Sequence, residues 1–87
     1  MSDITVQYDP QVDALYLSFR PTAPGEATRN DELDERRRVD YNDAGEALGV
    51  EILYPAADGI DLEGVPRAEE IRSLLEALFS LRLAVAA

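Results

Sequence analysis

The sequence predicts an α+β domain: an antiparallel sheet of two β-hairpins, about four strands, with one C-terminal amphipathic helix packed on one face. Three observations predict it. Apolar–polar alternations occur in pairs between residues 4 and 54. Compact turn signals, Asp9-Pro10 and the stretch 42–45, separate the members of each pair. An apolar period near 3.6 then runs through the C-terminal part. The 87 residues suit a single domain, with hairpins over 4–54 and a helix over 66–83.

In "ITVQY" (4–8), Ile4, Val6 and Tyr8 share one strand face. Asp9 and Pro10 then turn the chain, since proline presets φ and the aspartate bonds forward to backbone amides. "ALYLSF" (14–19) is the second strand, with Leu15, Leu17 and Phe19 facing one way and Ala14, Tyr16 and Ser18 the other. Residues 21–35, rich in proline and acidic side chains, read as a loop in which a strand can begin only near the end. "RRRVDY" and "ALGVEILY" flank "NDAG" as a second hairpin. Its register has two solutions. A three-residue loop, Asp43 to Gly45, pairs Asn42 with Glu46; the apolar pattern instead asks that Val39 oppose Val50. A bulge near Gly49 would satisfy both. Residues 55–65 read as irregular. Pro66 suits a first helical turn, and Val65 then falls at the cap. Beyond it Ile71, Leu74, Leu75, Leu78 and Leu81 form one stripe, with Phe79 at its edge.

Composition removes much chemistry. Without cysteine there is no disulfide or thiolate, and without histidine the commonest general base and transition-metal ligand are missing. Zinc bound through nitrogen or sulfur is excluded, which leaves hard, oxygen-ligated cations. The net charge is −10, from 18 acidic residues against 8 arginines. That field disfavours nucleic-acid binding by this chain alone and favours a basic protein partner. No segment has the length or pattern of a membrane span or an export signal, so a cytoplasmic protein is expected.

Two stretches together, "YDPQVDALYLSF" (8–19) and "VDYNDAGEALGVEIL" (39–53), resemble the DUF2283 family of small bacterial and archaeal proteins, as does the acidic "DELDE" before the second. The chain departs mildly from that pattern at Gln11, Arg37 and Arg38. The resemblance implies a small β-rich fold and no established catalytic residues. It also implies an antitoxin-like or other partner-binding role, because members often look like half of a two-gene pair with a small toxin-like protein.

Several patterns could carry chemistry. Asp40, Asn42, Gly45 and Glu51 match four positions of a calcium loop. Ala44 stands where a ligand is usual, and β-type sequence flanks the loop where helices are needed, so a hairpin is the better account. Asp9 and Asp13 could act as an acid–base pair or hold magnesium, but with no nucleophile and base elsewhere in the chain the better account is that each fixes the turn through backbone N–H bonds. No serine has a histidine or lysine to activate it. Arg36, Arg37 and Arg38 form the basic cluster, with acidic neighbours and Glu51 in cross-strand reach.

The expectation is therefore a non-enzymatic protein–protein interaction module, homodimeric and able to take a basic partner. Its expected interface is the helix stripe of Ile71, Leu74, Leu78, Leu81 and Val85, and no catalytic, cofactor or metal residue is assigned. The alternative is a divalent-cation-dependent hydrolase, or metal-binding protein, using Asp9, Asp13 and carboxylates from 31–43.

Overall fold

Alternation in the first half of the chain produces most of the strands, and pairing them places Leu15, Leu17, Val39, Val50 and Ile52 on one side. The computed structural model describes residues 3–86, with side chains described from Asp3 to Leu78. Strands β1 (Thr5–Asp9), β2 (Ala14–Ser18), β3 (Arg29–Asp34), β4 (Arg37–Tyr41) and β5 (Ala47–Leu53) form one antiparallel sheet in the order β1-β2-β5-β4-β3. A one-turn helix α1 (Pro55–Asp58) and a long helix α2 (Ala68–Ala86) follow.

The sheet has five strands rather than about four. The extra strand, β3, comes from the acidic segment read as a loop. It lies at the sheet edge with all six residues exposed, so no apolar alternation marks it. Helix α1 lies in the stretch read as irregular. Helix α2 begins at Ala68, so Pro66 precedes its first turn and Val65 is a buried core residue instead of a cap. Arg67, at φ 59°, stands immediately before the helix, and its carbonyl accepts from the Ile71 N–H at 3.0 Å.

The second hairpin satisfies both register demands. Asn42 donates its N–H to the Glu46 carbonyl at 3.1 Å, enclosing the three-residue loop, with Gly45 at φ 80°. Tyr41 then opposes Ala47 while Asp40 opposes Gly49, so Leu48 is the extra residue of a bulge and Val39 meets Val50.

The interior lies on one face of this sheet. Leu15, Leu17, Phe19, Val39, Val50 and Ile52 are buried there, covered by Ile4, Val65 and Ile71. Leu62, Leu74 and Leu75 pack against this cluster from outside. No polar or charged residue is buried among the described residues, so the core carries no desolvated charge. No helix among the described residues is long and apolar enough to cross a membrane.

Candidate interaction surfaces

The face of the sheet away from the core carries a polar row. Register aligns Gln7, Tyr16, Glu51, Arg38 and Glu32 in one row across all five strands. Arg38 reaches Glu51 at 3.0 Å, the cross-strand pairing its position suggested. Beside that row Asp40 opposes Gly49, and the Tyr16 hydroxyl donates diagonally to the Asp40 carboxylate at 3.1 Å. Burial, then Asp40 and Glu51, push the Tyr16 phenol up to about 12, so it stays protonated and acts as a donor rather than a nucleophile at neutral pH.

Asp40, Asn42 and Glu51 therefore do not share an ion. Asp40 accepts from Tyr16, Glu51 pairs with Arg38, and Asn42 donates its side-chain amide to Glu46 at 2.9 Å. Asp9 accepts from the Gln11 N–H at 3.0 Å and fixes its own turn. Asp13 does something the sequence did not reveal. From the first hairpin it caps α1, accepting from the N–H groups of Ala56 at 3.1 Å and Ala57 at 3.2 Å and from the Tyr8 hydroxyl at 2.8 Å. Desolvation opposes ionisation at Asp13, but these three donors hold the carboxyl below its ordinary range. The cap lies more than forty residues from the helix it serves, beyond the reach of any local pattern. Among the described residues no three carboxylates come together in a metal-holding group.

The arginine run is spent on internal ties. Arg36 pairs with Asp58 at 2.7 Å. Arg37, almost fully covered, bonds Asp34 at 2.9 Å and donates to the carbonyls of Asp61 and Glu63 at 3.1 and 2.5 Å. It thereby fixes the segment leading to α2. Arg67 does similar work at the helix start, bonding Asp3 and Glu70 at 2.6 Å each.

The helix stripe divides. Ile71 is fully buried and Leu74 partly so, both against this chain's own core, whereas Leu78 is 43% exposed. Leu81 and Val85 lie outside the residues whose side chains are described.

The two sheet edges differ in chemistry. Thr28 donates its N–H to the Tyr41 carbonyl at 3.0 Å, so the odd-numbered residues of β4 face β3. Register then turns the backbone of Arg29 and Asp31 inward and that of Asn30 and Glu32 outward. This edge carries Asp31, Glu32 and Asp34, and Glu35 follows it. At the other edge, β1 reads "TVQYD", with no charge before its last residue.

No curated protein and no solved structure matches this chain. The family described as a protein of unknown function, DUF2283, matches residues 5–54, the whole five-stranded sheet and its turns, and the chain belongs to that family.

Proposed function

We propose that this domain is a non-enzymatic protein-binding module whose acidic edge strand, β3, receives a basic segment of another protein. One observation carries the reading: β3 ends the sheet, is exposed at every residue, and bears three carboxylates beside outward-facing backbone groups at Asn30 and Glu32. An extended basic segment would gain main-chain hydrogen bonds from the edge and charge pairing from Asp31, Glu32 and Asp34. The net charge of −10 would speed its encounter. The antitoxin-like role implied by the family resemblance calls for the same partner chemistry, a small basic protein of nuclease type.

Co-expression with the product of the neighbouring gene tests this. A complex is expected at low salt, weakening as salt rises and lost in Asp31→Lys/Glu32→Lys. Absence of a complex at low salt, or a complex indifferent to both substitutions, overturns the reading.

A further inference from the structure

We infer that a second copy of this chain docks on the opposite edge, pairing β1 with β1 antiparallel so that two sheets join into one. The starting point is the direction of the backbone groups. Phe19 donates its N–H to the Leu48 carbonyl at 2.8 Å, so odd-numbered residues of β2 face β5 and even-numbered ones face β1. Register pairs Gln7 with Tyr16, which turns the Gln7 backbone toward β2 and the backbones of Val6 and Tyr8 away from the sheet.

The sequence of β1 is self-complementary in the register those groups dictate. With Gln7 on the two-fold axis, Val6 of one copy meets Tyr8 of the other twice, giving four main-chain hydrogen bonds. Val6 and Tyr8 point to the apolar side, where Tyr8 is 46% exposed in the single chain. Gln7 meets Gln7 on the polar side, and Thr5 meets Asp9, so no like charges oppose.

Charge excludes the same arrangement at β3. Pairing there in the register its outward groups dictate, with Asp31 on the axis, sets Asp31 against Asp31 on a chain already at −10. A bulge between Glu32 and Asp34 also interrupts that edge. Acidic side chains and a bulge are the ordinary guards of an edge strand, and β1 has neither along residues 5–8. The dimer uses the edge remote from β3, so it stands or falls independently of the basic partner.

A five-residue strand pair is small for an interface, so the dimer is expected to be weak, with Kd on the order of tens of micromolar. Sedimentation equilibrium across that range measures it. Gln7 is exposed, so changing it spares the core. Gln7→Glu and Gln7→Lys each set like charges together on the axis and are expected to raise Kd about fivefold. An equimolar mixture of the two should restore association as a heterodimer, a result that a folding defect cannot produce. Asn30→Lys, on β3, should leave Kd unchanged. A monomer throughout the range, a dimer insensitive to Gln7, or a dimer abolished by Leu78→Glu while both Gln7 variants associate normally would overturn the inference.

Discussion

The Tyr16 hydroxyl on β2 reaches the Asp40 carboxylate on β4 at 3.1 Å by passing over Gly49 of the strand between them. The bridge requires the middle strand to present no side chain at that point. A Cβ on Gly49 would lie 2.6 Å from the Tyr16 ring carbon that bears the hydroxyl and 2.7 Å from the Leu17 carbonyl oxygen. The ring could swing away, but the Leu17 backbone could not move without disturbing the β2–β5 ladder.

Gly49→Ala is therefore expected to destabilise the fold by about 1–3 kcal/mol, the cost of overpacking a closed site. Urea unfolding should show a lower midpoint with little change in slope. Adding Tyr16→Phe should recover little, because the Leu17 clash persists. An unchanged midpoint in Gly49→Ala would refute the account.

Alkaline titration reports on the same bridge. The Tyr16 phenol is raised from 10.0 to about 12 in the folded state, so the folded protein holds that proton more tightly than the unfolded chain. The stability this contributes is complete below about pH 10 and is lost as pH climbs toward 12. Ultraviolet titration of the tyrosinates should show a late step that Tyr16→Phe removes and Asp40→Asn brings to lower pH. Tyr8 is also raised, chiefly by its hydrogen bond to Asp13, so the comparison with Tyr16→Phe is what isolates Tyr16.

Asp13 is expected to act at the acid end. Its folded-state pKa lies below the ordinary 3.8, so its contribution is present above that value and fades as pH falls through the lowered one. Asp13→Ala should lower Tm by about 5 °C at neutral pH, the size of a lost helix cap in a small domain. Hydrogen exchange at Ala56 and Ala57 should quicken at the same time. Asp13→Asn should lose less, since asparagine keeps one acceptor and tolerates the φ of 52° found here. The gap between wild type and Asp13→Asn should narrow as pH falls below 3.8; a gap constant with pH would contradict the charged cap.

Arg37 gives a prediction about the route to α2. Its guanidinium joins Asp34 to the carbonyls of Asp61 and Glu63, with only 11% of the side chain exposed. Arg37→Met keeps the stem but abandons three acceptors, and should cost about 2 kcal/mol in urea unfolding. Arg37→Lys should recover only part, because an ammonium cannot present the same planar fork. Equal stability of Arg37→Lys and wild type would show that charge alone suffices.

The sequence determined much of this protein by itself. Alternation in 4–8, 14–19 and 47–53 established which residues face the core, because one-sided burial makes a two-residue period obligatory. Asn42, Gly45 and the Val39–Val50 requirement left the hairpin register open between a tight loop, a longer one and a bulge near Gly49, and the folded sheet chose the bulge, at Leu48. Local charge pairing of the arginine run was legible, since Glu51 had to lie across from Arg38 once Val39 met Val50. Tertiary structure alone decided the rest. Strand β3 could not be read because an edge exposed on both faces imposes no pattern on its side chains. Helix α1 could not be read because its cap, Asp13, is brought to it from another hairpin, and α2 begins at Ala68 because Val65 is drawn into the core ahead of it. Periodicity records which face of an element is buried; it carries no record of partners that only folding brings within hydrogen-bonding distance.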